Sequence, residues 1–426
     1  LGRFPTLLAL QFRFVAIHHR YQLEKELGMP SIETDLLHWG DERTRQQHGA
    51  INTPVYRASL YSFETYEEFK AAGSQGGDSF VYGRVSNPTR AALERKLAHL
   101  EKGEHAIAFS TGMAAISAAL ISSLKAGDHL LVVSCCYGPT RKLSDSLLSR
   151  MGVEVEFFDS DESADLSHRI KSNTRAIYLE SPGTFTMQIQ DLRAVAKLAR
   201  ANNIVTMIDN TYATPLYQNP LELGIDISIH TGTKYLGGHS DLMSGVLVCN
   251  KELYQKIQPV AEVLGAPLSP DDAYLVMRGI RTLAVRVERQ SETALKVAQW
   301  LQTRPEVSRV NHPGLADFPG HELAKSQMSG FTSLFSFEIA PAAPLHAQYA
   351  FVNALEYFSI GVSWGGYESL ALPISESYQN EPAIRKSMGL SDEIYRLSIG
   401  LESFEDLIAD LEAGFAARAA AIAQTS

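Results

Sequence analysis

Lys234 stands in the segment DISIHTGTKYLGGHSD, after an apolar run and among small, hydroxyl and glycine residues rather than charged ones. A lysine kept from water tends to lose its proton, and only the neutral amine attacks an aldehyde. Such a lysine can form a Schiff base and then shuttle protons at a substrate carbon. Asp209 lies 25 residues earlier, closing the run IVTMID, where the strands of a parallel sheet open toward a ligand crevice. A carboxylate there can keep a pyridinium nitrogen protonated, so that the ring accepts electrons from a carbanion at a bound amino acid. Earlier still, residues 105–121 read HAIAFSTGMAAISAALI, a strand, a small-residue turn and a helix. That order leaves the amides of Gly112 and Met113 at a helix N-terminus, where a phosphate can be cradled.

Each feature has a plainer reading on its own: a capping turn, a loop acid bonded to nearby backbone, a surface lysine. In the order phosphate turn, aspartate, lysine they make up the working parts of a pyridoxal 5'-phosphate (PLP) site. No G-x-G-x-x-G follows the first strand of the sheet and no G-x-x-x-x-G-K-[ST] occurs, so dinucleotide and nucleoside-triphosphate sites lose their usual support.

The elements that position these residues alternate between strand and helix periods. Seven apolar runs read as strands, HAIAF, HLLVV, VEVEFF, RAIYLE, IVTMID, DISIHT and GVLVC, with helical stretches such as DLRAVAKLARANN between several of them. This predicts an α/β domain over 87–282, with a largely parallel sheet covered on both faces. From about Thr282 a long helical pattern, the strand candidates SRVNHPG and SLFSFEI and a terminal helix from near Ser403 predict a smaller α+β domain over 283–426. Residues 1–86 read as an extension and arm, and PAAPLHA from Pro341 as a surface connection.

YGRVSNPTR, STGMAAI, DNTYATP, HTGTKYLGGHSD and YRLSIGLE together resemble the Cys/Met-metabolism family of PLP enzymes, over nearly everything after about residue 31. The resemblance implies an aspartate-aminotransferase-like fold (PLP fold type I). It also implies a homotetramer built from dimers that share active sites. By motif, Lys234 resembles the Schiff-base lysine, Asp209 the pyridinium partner and Tyr137 the ring stacked on the cofactor, a role suited to a flat, electron-poor partner. Gly112, Met113, Thr231 and Thr233 resemble the phosphate ligands of one subunit, and Tyr82 and Arg84 those of its neighbour. Arg396 resembles the clamp on the substrate carboxylate, a task for a fixed guanidinium fork, with Ser363 in the loop that assists it. Thr231 stands where relatives often carry serine, and Tyr212 where tryptophan is common.

Among reactions of that family, Ser363-Trp364-Gly365-Gly366 resembles bacterial cystathionine β-lyases, whereas enzymes of γ chemistry more often have leucine at the position of Trp364. ESPGTFTMQIQDL is also lyase-like. The resemblance therefore implies cleavage of cystathionine with Lys234 as the base and Lys234 or Tyr137 as the proton donor to sulfur, with Tyr82 counted among the catalytic residues. Gamma-synthase, γ-lyase and O-acylhomoserine sulfhydrylase activities are the nearest alternatives, and a noncatalytic PLP-binding protein is a more distant one.

The composition fits such an enzyme. The chain has 426 residues, 45% hydrophobic and 20% charged, with a net charge of −10, which argues against nucleic acid. No apolar run reaches the roughly 20 residues of a membrane span. There are three cysteines, two of them the neighbours Cys135 and Cys136, so a disulfide framework is implausible and a cytoplasmic location is expected. His18, His19 and His239 have no partners at zinc-ligand spacing, and no metal is expected. Before Glu24 the chain holds Arg3, Arg13 and Arg20 and no acid, weakly like a transit peptide, while Met29 suits an upstream extension equally well. Poor order is expected there.

Overall fold

Strands that read as unbroken apolar runs must be covered on both faces, and the computed structural model, which describes residues 30–40, 49–75, 79–378 and 381–424, is built around such strands. All seven strand candidates form. They are β1 (His105–Phe109), β2 (His129–Val133), β3 (Glu154–Phe158), β4 (Thr174–Glu180), β5 (Val205–Asp209), β6 (Ile227–His230) and β7 (Gly245–Cys249). Their order is β1-β7-β6-β5-β4-β2-β3. Only β7 runs against its neighbours, pairing antiparallel with β1 and β6.

Every residue of β2, β6 and β7 is buried, as central strands require. At the edge, β3 turns Glu154 and Glu156 toward Arg169 and Lys171, and charge on an edge strand discourages pairing with another chain. Alternate residues of β7 serve different cores: Val246 and Val248 join one cluster, Leu247 and Cys249 the other, as the period of two demands. The helix Gly112–Ser123 packs on β1, β6 and β7, the helix Leu192–Ala201 on β5, and Pro88–Leu100 on β1 and β7.

Helix starts follow capping chemistry. Asn87 accepts from the amides of Thr89 and Arg90 ahead of Pro88, and Thr111 accepts from Ala114. The N-terminal helix Ile32–His38 packs against Pro88–Leu100 and Pro270–Arg281. Residues 1–29, where a targeting-like or extended segment was expected, lie outside the described residues.

The long helix Leu283–Gln302 leads to a second sheet, of order β10-β11-β12-β9-β8. Its strands are β8 (Val307–Asn311), β9 (Leu334–Ile339), β10 (Ser359–Ile360), β11 (Leu370–Pro373) and β12 (Ile394–Ser398). The expected strands near Val307 and Leu334 are β8 and β9, while β10 to β12 go beyond the sequence reading. Only part of PAAPLHA is a connection, because Leu345, His346 and Ala347 open the helix Leu345–Asn353. One apolar cluster runs from Ala92 through Leu283 to Phe335 and Phe415, so the two sheets share a core. Among the described residues no helix is long and apolar enough to cross a membrane.

The terminal helix Phe404–Ala423, capped by Ser403, is fastened to the second sheet by a buried ion pair. Arg418 Nε and Nη2 donate to the two oxygens of Glu393 at 2.7 and 2.8 Å. The remaining capacity of Glu393 is met by the Tyr395 hydroxyl at 2.7 Å and the Ala343 amide at 2.6 Å. Removing one member of such a pair strands the other, at a cost of about 3–5 kcal/mol. Arg418→Ala should therefore lower the thermal unfolding midpoint clearly, and Arg418→Ala combined with Glu393→Gln should recover part of the loss; differential scanning calorimetry of the two proteins checks both.

Candidate active site

The carboxyl ends of β2, β4, β5 and β6 meet at one cavity of about 270 Å³. Asp209 ends β5. Its Oδ1 accepts from the Thr211 amide at 3.0 Å and from the Thr211 hydroxyl, which in turn accepts from the Thr231 amide at 2.8 Å. These bonds fall on Oδ1 and leave Oδ2 for a ligand. Burial pushes the Asp209 carboxyl above its ordinary value, against the pull of the Thr211 hydrogen bonds. Beside it Glu180 ends β4, in register with Asp209. Its carboxyl is pushed up to about 8, first by desolvation and then by the Asp209 charge.

Lys234 follows β6 through the turn 231–233. Its Nζ donates to Ser363 Oγ at 2.7 Å and lies 5.6 Å from the centre of the Trp364 ring. Trp364 is braced edge-on by Tyr235 at 5.4 Å. Desolvation, and secondly the charge of Arg396, lower the Lys234 pKa to about 8, with Asp209 opposing. Ser363 has φ +74°, a strained value for a residue with a Cβ. The next turn is a glycine of necessity: at Gly365, φ +80°, a Cβ would stand 2.9 Å from the Tyr235 amide nitrogen.

Arg396, on β12, donates through Nη2 to the carbonyls of Gly361 and Ser363 at 3.2 and 3.0 Å, so it holds the loop that carries Ser363 and Trp364. Its Nε is buried without a partner, and desolvation lowers its pKa to about 10. A guanidinium that lines the cavity and keeps an unmet donor is suited to an incoming carboxylate. Tyr137 follows β2 and lines the same cavity, its amide donating to Glu180 Oε2 at 2.7 Å. Desolvation, then Glu180 and Asp209, raise its pKa, so the phenol keeps its proton.

Gly112 opens its helix against the turn after β6, where a Cβ would stand 2.1 Å from Thr231 Oγ1. The close approach sets the start of the helix against the Thr231 hydroxyl. Thr233 Oγ1 accepts from the Ser244 amide at 3.1 Å, and the Met113 side chain packs partly buried against the core. Tyr82 and Arg84 are not brought into this cavity by their own chain. They line another, of about 390 Å³, where Arg84 Nη1 donates to the Glu262 carbonyl at 2.6 Å. Among the described residues no cluster of His, Cys, Asp or Glu could hold a metal.

The site fits pyridoxal 5'-phosphate. A withdrawn carboxylate is suited to a cationic ring nitrogen, a lysine near neutrality to an aldehyde, and a glycine-tight helix start with adjacent hydroxyls to a phosphate. Glu180 and Thr184, whose hydroxyl donates to Glu180 Oε1 at 2.7 Å, escaped the sequence reading. Their signal was present: RAIYLE and IVTMID both end in an acid, and adjacent parallel strands ending alike bring the acids together.

The profile of the Cys/Met metabolism PLP-dependent enzyme family matches residues 33–416. The chain belongs to that family. It is 40% identical to a cystathionine β-lyase of Lactococcus lactis subsp. cremoris over 387 residues, covering 90% of this chain and 98% of the relative. It is also 40% identical to an L-methionine γ-lyase of Fusobacterium nucleatum subsp. polymorphum over 390 residues, 90% and 97% of the two chains. A crystal structure of cystathionine γ-lyase from Lactobacillus plantarum, complexed with L-serine, superposes with a TM-score of 0.84 at 36% identity, covering 92% of this chain and all of that one. The protein is thus a PLP-dependent lyase with the fold type I architecture.

The titration of Lys234 yields a test. The rate at which apoprotein takes up pyridoxal 5'-phosphate should climb as pH rises toward about 8 and level off above it, following the neutral amine. In Arg396→Leu the midpoint should move to higher pH, because one of the charges that disfavour the ammonium is gone. Stopped-flow absorbance of the yellow complex across pH reads both effects, and an unchanged midpoint in the variant would count against the Arg396 contribution.

Proposed function

We propose that the chain is a cystathionine β-lyase, releasing homocysteine, pyruvate and ammonia. The observation that carries this reading is the place of Trp364, packed over the Lys234 amine while Ser363 holds that amine from the same loop. Beta cleavage asks the lysine to work at one carbon, whereas γ chemistry also asks it to move protons at the neighbouring carbon. A broad ring beside the amine restricts its reach and favours the first. Relatives named for β and for γ cleavage match at the same 40% identity, so Trp364 tips the reading rather than the names.

Bound pyridoxal 5'-phosphate supplies an electron sink for the pair left when the substrate α-proton departs. Arg396 would receive the α-carboxylate, and Tyr137, which lines the same cavity, would cover one face of the cofactor ring. Asp209 would keep the ring nitrogen protonated, and the Gly112 and Met113 amides with Thr231 and Thr233 would hold the phosphate. Lys234 removes the α-proton; the Cβ–S bond breaks and its electron pair leaves on sulfur, which takes a proton from Lys234 or the Tyr137 phenol. The three-carbon enamine then takes up water and yields pyruvate and ammonia.

A second copy of the chain supplies Tyr82 and Arg84, which in their own chain line a different cavity. The exposed apolar residues Leu60, Tyr82 and Val85 suit that contact, within a homotetramer of paired dimers. Residues 87–282 and 283–426 act as the cofactor and C-terminal domains, with 1–86 as the arm. The three buried free cysteines suit the cytoplasm.

Purified enzyme given cystathionine should release pyruvate and homocysteine in equal amounts, identified by mass spectrometry. Release of 2-oxobutyrate and cysteine would replace the proposal with γ-lyase chemistry. Lys234→Ala should lose both the yellow absorbance band and turnover, and turnover retained without the band would remove Lys234 from its role.

A further inference from the structure

Glu180 has no part in the reaction described above, yet it touches both walls of the cavity. Its register partner across the parallel pair β4 and β5 is Asp209, so the two carboxyls leave the same face of the sheet at its carboxyl edge. From there its two oxygens reach in different directions. Oε2 accepts the Tyr137 amide at 2.7 Å, in the turn after β2. Oε1 accepts the Thr184 hydroxyl at 2.7 Å, in the loop after β4. The two segments are also joined directly, since the Thr184 amide donates to the Cys135 carbonyl at 2.8 Å.

The loop needs holding. Phe185 and Met187 take φ of +65° and +56°, values that side chains with a Cβ adopt only when their surroundings impose them. Both residues line the cavity, as do Tyr137 and Thr184. One carboxyl group therefore anchors the turn that carries the Tyr137 ring and the loop that carries Phe185, with Asp209 beside it on the rigid sheet.

We infer that Glu180 is a positioning residue for catalysis: it fixes the Tyr137 ring and the 182–187 loop relative to Asp209, and so sets the ring over the cofactor. The inference rests on the proposed function only in taking Tyr137 as the ring that faces the cofactor.

The test compares holoenzymes of the wild type, Glu180→Ala, Glu180→Gln and Thr184→Val. Far-UV circular dichroism reports the fold, visible-region circular dichroism the setting of the bound cofactor, and kcat/KM is taken with whichever keto acid the wild type forms. Glu180→Ala should change the visible dichroic band and lower kcat/KM by about 10²-fold, the scale of a misplacement near 1 Å. Glu180→Gln should restore both to within a few-fold, because its amide oxygen can accept from Tyr137 while its amide nitrogen donates to the Thr184 hydroxyl. Thr184→Val should show a smaller loss of the same kind. A Glu180→Ala enzyme with wild-type band and kcat/KM overturns the inference, and so does a Glu180→Gln enzyme as impaired as Glu180→Ala. If Glu180→Ala does not fold, Thr184→Val decides, and a wild-type band and kcat/KM in it overturn the inference. The visible band reads the cofactor whichever keto acid is released, so failure of the β-cleavage proposal leaves this test standing.

Discussion

A carboxylate buried at the end of a central strand is expensive to keep ionised unless a cation meets it. Asp209 is 7% exposed, and its hydrogen bonds come from one neighbouring threonine. Its residual demand for a positive partner is what the rest of the site is arranged to satisfy. The sheet places it where four strand ends converge, Thr211, itself held by the Thr231 amide, fixes one of its oxygens, and the other would be left for a ring nitrogen. Glu180 sharpens the constraint, because a second carboxyl in register makes the pocket still less tolerant of two negative charges without a cation.

Lys234 is governed by a contest that burial wins. Asp209 favours the ammonium, but desolvation and the Arg396 guanidinium disfavour it, and the amine is left near pH 8 instead of 10.5. That difference corresponds to about 3 kcal/mol, several times what a screened surface ion pair contributes. The strained turn at Ser363 is part of the same arrangement, since it delivers an oxygen acceptor to an amine that has given up most of its hydration.

What was legible in the sequence follows from the same physics. The seven strands of the large sheet announce themselves because both faces are covered, which forces unbroken apolar runs such as HLLVV and GVLVC. Lys234, Asp209 and the Gly112 turn could be picked out because each breaks the local rule for its type: a lysine among glycines, an acid closing an apolar strand, a glycine opening a helix. The second sheet was half visible. β10 has two residues, and YRLSIGLE, with Arg396 in its midst, lacks the period of a simple buried strand. The acids closing RAIYLE and IVTMID were visible, but Glu180 was passed over because pairing it with Asp209, 29 residues away, requires the strand order, which has no local signature. The separation of Tyr82 and Arg84 from the cavity is likewise a matter of geometry, and only their resemblance to neighbour-supplied ligands hinted at it.

Under the proposed function, Arg396 would link substrate recognition to the chemistry. It holds the Gly361–Ser363 turn through Nη2, and Ser363 in turn holds Lys234. Its charge is also one of the two influences that keep Lys234 from being protonated. A substrate carboxylate set on the open side of the guanidinium would cancel much of that charge without disturbing the turn. The lysine would then hold a proton more readily, which is to say that it would become a stronger base when an amino acid is in place. Without that carboxylate the same lysine stays closer to neutral, the form that reacts with an aldehyde. Under the proposed function, one guanidinium would tune one amine for two tasks, with the arrival of the substrate as the switch between them.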